Sequence, residues 1–160
     1  MEDSLTLPKF IYIYFFAIGE DEADILKSLA TDLVCLDIGT GAGRSALAMA
    51  QTASHVVSVD PIDNLYELYR RDNVEYLQIP FKELDLGAYS FDLAFVDHFG
   101  PRTDAACSLL EAGVSTVVID DIHMEPRIEP LEVIEERLYA AGAQNITYYD
   151  VGYGMLKATL

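Results

Sequence analysis

Five short, nearly continuous apolar runs punctuate the chain: LVCLDIG (33–39), HVVSVD (55–60), VEYLQIP (74–80), FDLAFVD (91–97) and STVVIDD (115–121). Each is rich in β-branched residues and bounded by polar or small ones, the pattern of strands buried on both faces. The stretches between them carry a helical period. Residues 43–52 are alanine-rich, and 62–71 set Leu65, Leu68 and Tyr69 on one side. Residues 103–112 start at a plausible cap and stop at Gly113; over 129–141, Leu131, Ile134 and Leu138 form one stripe with Glu132, Glu135 and Glu136 turned away. The link over 81–90 is short and predicts a turn in place of a full helix.

Strand–helix alternation of this kind predicts a parallel sheet with right-handed crossovers and helices on both faces. The pattern then changes. NITYYDV (145–151) and MLKATL (155–160) flank Gly152-Tyr153-Gly154, which predicts a hairpin and therefore one antiparallel strand. Upstream, 21–30 predict an amphipathic helix with an acidic first turn. With no repeat, low-complexity tract or linker, the chain reads as one domain over 1–160. Residues 1–30 form its N-terminal helical or lid segment, and 31–160 its core.

Composition narrows the function classes. Hydrophobic residues make up 51% of the 160, as in a globular protein with a sizeable core. The formal charge of −17 repels phosphate backbones, and the densest basic pair is Arg70-Arg71, so no nucleic-acid partner is expected. The acidity reads first as a solubility device; it would also draw in a cationic ligand. Cys35 and Cys107 read as small core residues in a reducing compartment. The apolar stretch FIYIYFFAI (10–18) is too short to span a bilayer, and MEDSLTLPK before it, with two acids and one lysine, is unlike a secretory signal. A cytoplasmic protein without a membrane partner is expected. The stretch itself reads as core packing or a homo-oligomer contact, with a lid over the substrate as the sharper alternative.

The first strand ends in Asp37-Ile38-Gly39-Thr40-Gly41-Ala42-Gly43 and leads into a helix. Glycines there permit a sharp turn and close approach of a ligand to backbone, beside the N–H groups of a helix start. In open parallel sheets, ligands settle at the carboxyl ends of the strands. The dinucleotide fingerprint would require a third glycine at 44, where arginine stands. The spacing is G-x-G-x-G with an acid two residues before it. Asp37 is unwelcome beside a pyrophosphate but favourable beside a ligand carrying ammonium and sulfonium groups. The second strand ends in Asp60, 21 residues after Gly39, where a carboxylate can accept hydrogen bonds from ribose hydroxyls. Asp60 alone would read as a strand-end cap.

LDIGTGAGRSA resembles the first motif of class I S-adenosylmethionine-dependent methyltransferases, and VVSVD their second-strand acid. The order of elements is similar over roughly residues 20–160. The resemblance implies an α/β, three-layer Rossmann-like fold: a seven-stranded, mostly parallel sheet whose seventh strand inserts antiparallel beside the fifth. It implies S-adenosylmethionine as cofactor, with Gly39, Thr40, Gly41 and Gly43 lining its methionine and ribose portions and Asp37 near its amino-acid end. Asp60 would hold the ribose, and Pro80 and Phe81 would meet adenine, where this chain lacks the acid often found. From its residue type alone, Thr40, like Arg44, reads as structural or solvent-facing.

Methyl transfer is an in-line displacement that depends on alignment, so no universal catalytic motif exists to be found. Asp97, which ends the fourth strand before His98, is the candidate beside the transfer centre; His98 reads equally as a base or as a backbone partner. Asp120 and Asp121 end the fifth strand, followed by His123. These acids resemble the arrangement in metal-assisted O-methyltransferases of the catechol type, in which a magnesium-like ion orients acceptor hydroxyls; capping acids at strand ends are the plainer reading, and a divalent metal stays open. The expected activity is methyl transfer to a small-molecule acceptor. A protein that binds the cofactor without transfer, in a regulatory or scaffold role, is the alternative. A nicotinamide-dependent oxidoreductase is a third possibility that Arg44 disfavours.

Overall fold

A computed structural model of the chain describes residues 17–123 and 129–160. Seven strands form one sheet: β1 (Val34–Ile38), β2 (His55–Val59), β3 (Val74–Leu77), β4 (Leu93–Val96), β5 (Thr116–Ile119), β6 (Asn145–Tyr149) and β7 (Met155–Thr159). Their order is β3-β2-β1-β4-β5-β7-β6. Pairs among the first five are parallel, whereas β7 runs antiparallel between β5 and β6, with Val118 opposite Lys157. The expected seven-stranded Rossmann-like sheet and its closing hairpin are therefore present.

Among the described residues, four α-helices cover the faces: α1 (Glu20–Leu29), α2 (Arg44–Ala50), α3 (Arg102–Glu111) and α4 (Leu131–Ala140). Successive strand residues point to opposite faces, and the core divides accordingly. Cys35, Val56 and Phe95 pack with Leu26 of α1 and Met49 of α2. Leu36, Val57 and Val96 pack with Leu109 of α3 and Leu138 of α4. Three layers result. Both cysteines are free, Cys35 buried and Cys107 half-buried. No helix among the described residues is long and apolar enough to cross a membrane. Residues 10–16 of the apolar stretch lie outside the described residues, so the lid and subunit-contact expectations do too; Ile18 is buried beneath α1 and α2.

The helix expected over 62–71 does not form. Only Glu67–Tyr69 coil, as one 3₁₀ turn, and Leu68 is 60% exposed. The cause is tertiary. Tyr66 gives its N–H to Ala42 O at 3.0 Å, and Ile62 gives its N–H to Asp60 Oδ1 at 2.8 Å. The Tyr66 bond ties the segment to the turn after β1 and uses a donor that a helix would have given to Ile62 O, while the Ile62 bond holds the start of the segment to the end of β2. The 81–90 link coils into two 3₁₀ turns, Phe81–Glu83 and Leu86–Ala88, as its length predicts.

Candidate active site

The turn from β1 into α2 is wedged between two neighbours. Gly39 has φ +99°, and a Cβ there would fall 2.2 Å from the carbonyl oxygen of Asp97. Gly43 has φ +97°, and its Cβ would fall 2.5 Å from Leu65 Cδ1. An L side chain is thus excluded at both places by backbone conformation and by space. The glycine spacing serves close packing of this turn against the end of β4 and against the 62–69 segment.

Beneath the turn lies a buried polar chain. Ser58 Oγ of β2 donates to Asp37 Oδ2 at 2.6 Å, and Thr40 Oγ1 lies 2.6 Å from Ser58 Oγ. Asp37 is wholly buried and its Oδ1 has no hydrogen-bond partner. Burial pushes its carboxyl up to about 7, against the hydrogen bonds from Ser58 and Ser45 and with a further rise from the charge of Asp60. Thr40 ends this chain, buried at the turn. Asp60 closes the turn from the β2 end: its Oδ2 accepts from Gly41 N at 3.0 Å and its Oδ1 from Ile62 N. The capping role is therefore real, and each carboxylate oxygen retains a further lone pair.

The acids at the ends of β4 and β5 converge. One carboxylate oxygen from each of Asp97, Asp120 and Asp121 lies within 4.8 Å of the other two. Arg102, the first residue of α3, stands among them: Nη2 lies 2.7 Å from Asp97 Oδ1, and Nη1 lies 3.1 Å from Asp121 Oδ2. Arg102 also donates from Nη1 to Asp120 O at 2.6 Å and from Nε to His98 O at 3.0 Å. Burial, and next the charge of Asp120, hold the Asp97 carboxyl well above the usual range despite Arg102. Burial and Asp121 push Asp120 up to about 8, and Asp120 Oδ1 has no partner. Burial, with Arg102, lowers the pKa of His98 and favours its neutral imidazole.

Among the described residues, hollows open at this edge. A cavity of about 540 Å³ is walled by Pro80, Phe81, His98 and Pro101. A second, of about 250 Å³, is walled by Arg102, Asp120, Asp121 and Ile134, and shares His98, Pro101 and Asp104 with the first. A third, of about 170 Å³, lies between Thr40, Asp60, Leu77 and Gln78. The structure thus gathers every residue proposed from the sequence at one edge of the sheet. Asp37 and Thr40 stack under the turn, Asp60 sits on Gly41, Gly39 lies against Asp97, and Pro80 and Phe81 face His98 across a cavity.

Sequence reasoning passed over Ser58 and Arg102. Ser58 left a faint trace, a hydroxyl inside an apolar strand one position before its buried end. Arg102 left a clearer one: a cation at the first position of a helix opposes the helix dipole, which is favourable only where acids surround it.

Residues 36–110 match the model of a methyltransferase domain family, from the middle of β1 to most of α3. No curated protein is similar to the chain in sequence. Among solved structures, a methyltransferase from Geobacter sulfurreducens superposes with a TM-score of 0.72 at 19% identity, covering 89% of this chain and 79% of that one. The 1,6-didemethyltoxoflavin-N1-methyltransferase of Burkholderia thailandensis, solved with 1,6-didemethyltoxoflavin and S-adenosylhomocysteine, gives 0.68 at 20% identity over 88% and 76% of the two chains. An S-adenosylhomocysteine-bound methyltransferase of Podospora anserina gives 0.68 at 16% over 90% and 80%. Sheet order and superposition together give the chain a Rossmann-like fold shared with these methyltransferases, and residues 36–110, with the glycine turn, carry the match to a methyltransferase domain family.

Proposed function

We propose that the chain is an S-adenosylmethionine-dependent methyltransferase that methylates a small-molecule acceptor held over the ends of β4 and β5, with Asp97 beside the reacting atoms. One observation carries this reading: the turn after β1 packs on the carbonyl of Asp97, so the turn of the donor site and the acid of the acceptor side are in direct contact. The adjoining cavities support it, the larger falling within the range of about 300–1,000 Å³ usual for ligand pockets and the smaller suiting only a compact acceptor.

The donor supplies an electrophilic methyl group on a sulfonium sulfur. The chain's residues fit it: a glycine turn open to backbone approach, and beneath it a buried acid whose Oδ1 has no partner. Gly39, Thr40, Gly41 and Gly43 would hold its methionine and ribose portions. Asp60 would receive the ribose hydroxyls on its remaining lone pairs while keeping the turn in shape. Pro80, Phe81 and neutral His98 would enclose the adenine. The Asp37 carboxyl, ready to ionise near neutral pH, would favour the positive end of the ligand through the field it adds.

Asp97 would orient the acceptor and take its proton as the methyl arrives; a carboxyl with a raised pKa is a better proton acceptor than an ordinary one. The three strand-end acids do not fit a divalent ion as they stand, since Arg102 already bridges two of them. The net charge of −17 supports a small molecule over a nucleic acid as acceptor. The free cysteines support a reducing, cytoplasmic setting.

The test is calorimetric titration with S-adenosylhomocysteine, followed by a labelled-methyl transfer screen over hydroxyl- and amine-bearing small molecules. Binding together with transfer is expected. Binding without transfer to any acceptor class would favour the non-transferring, cofactor-binding alternative, and no binding would sink both.

A further inference from the structure

We infer that Arg102 is the built-in cation of this site, a positioning residue that fills the place a divalent ion would need and leaves the enzyme independent of metal. The inference rests on the reading above for what the site does, but not for its own test.

The geometry is specific. All three guanidinium nitrogens are engaged: Nη2 with Asp97, Nη1 with Asp121 and with the carbonyl of Asp120, and Nε with the carbonyl of His98. One side chain therefore ties together the ends of β4 and β5 and the loop that leads into its own helix. Its side chain is only 17% exposed, and those of Asp97 and Asp121 are 15% and 17% exposed. A hard cation binds carboxylate oxygens at about 2.0–2.6 Å. An ion at that distance from Asp97 Oδ1 and Asp121 Oδ2 would crowd the guanidinium nitrogens already 2.7 and 3.1 Å from those same atoms. Two like-charged groups would compete for the same oxygens, and the tethered one is held by two carbonyls as well.

The acids themselves have the spacing of a metal site. Arg102 is what stands in the way, so its removal should create such a site. A planar fork also does what a spherical ion does not: it fixes each carboxylate in one plane by directed hydrogen bonds. Asp97 is thereby presented to the acceptor in one orientation.

The experiment titrates EDTA-dialysed protein with Mn²⁺ alone, read by electron paramagnetic resonance, up to about 1 mM, the weak end of hard-cation sites. Wild type is expected to bind no Mn²⁺ at the trio, while Arg102→Ala binds one ion that is lost again on adding Asp121→Asn. Arg102→Gln, which keeps the size and part of the hydrogen bonding, serves as the second variant should the alanine form not fold. Mn²⁺ bound by wild type and lost in Asp121→Asn would overturn the inference, as would a variant that folds and binds no ion. With a methyl acceptor in hand, EDTA should leave wild-type turnover unchanged. Arg102→Ala should lower kcat at least tenfold with little change in KM for the donor, and Arg102→Lys should recover part of it. The Mn²⁺ readout stands even if no acceptor is found, so the two readings fail separately.

Discussion

Gly39 meets Asp97 backbone to backbone: the Cβ that Gly39 lacks would lie 2.2 Å from the Asp97 carbonyl oxygen. Gly39→Ala must therefore push β1 and β4 apart at their carboxyl ends while also straining φ at +99°. A loss of roughly 1–3 kcal/mol from the backbone conformation alone is expected, together with at least tenfold weaker binding of S-adenosylhomocysteine. Thermal unfolding and calorimetry read the two effects. Unchanged affinity in a folded variant would show that the contact does not shape the donor site.

Asp60→Ala removes two acceptors at once, those of the Gly41 and Ile62 N–H groups. Cofactor affinity should fall by about 1–3 kcal/mol. Asp60→Asn is the finer probe: its amide can still accept one of the two bonds but not both, so its affinity should lie between. Equal affinity of the asparagine form and wild type would take the charge out of the explanation.

Asp97→Asn keeps shape and removes the proton acceptor. Transfer rate should drop by about 10²–10⁴, the range for loss of a positioned acid or base, while affinity for S-adenosylhomocysteine changes little. The reverse pattern would make Asp97 a donor ligand.

Protons link the site to stability. Asp37 titrates near 7 and Asp120 near 8 in the fold, against 3.8 for a free aspartate. Between those values the folded chain holds protons that the unfolded chain has released. Their contribution is complete below about pH 4 and is lost as pH rises through 7 to 8. The ligand-free protein should accordingly lose stability from pH 5 to 8 in urea unfolding, and Asp37→Asn, which mimics the protonated acid, should flatten that slope. A steeper slope in the variant would contradict the burial of Asp37 as its cause.

Much of this was readable in advance because strand burial leaves a strong signal. Runs such as VCLDI and LAFV admit few alternatives, and the Gly152–Gly154 turn announced the reversal before β7. What escaped was set by contacts distant in sequence. The period of Leu65, Leu68 and Tyr69 was genuine, yet Tyr66 N–H found Ala42 O and the helix gave way to a single turn. Asp37 was legible as an acid near the turn but not as one cut off from water by Ser58 and Thr40. Arg102 hinted at acids nearby, but only the fold shows which they are, Asp97 just past β4 and Asp121 just past β5.

The placement of β7 bears on how the chain can fail. β5, the strand that leads into Asp120, has β4 on one side and β7 on the other, and β7 is reached only after 35 intervening residues. Until that late segment docks, the Val117–Ile119 stretch is a bare, greasy edge offering its amides to any passing strand. A version cut short before residue 145 would therefore be expected to clump through that rim, and the acceptor half of the site would be the last part of the molecule to mature.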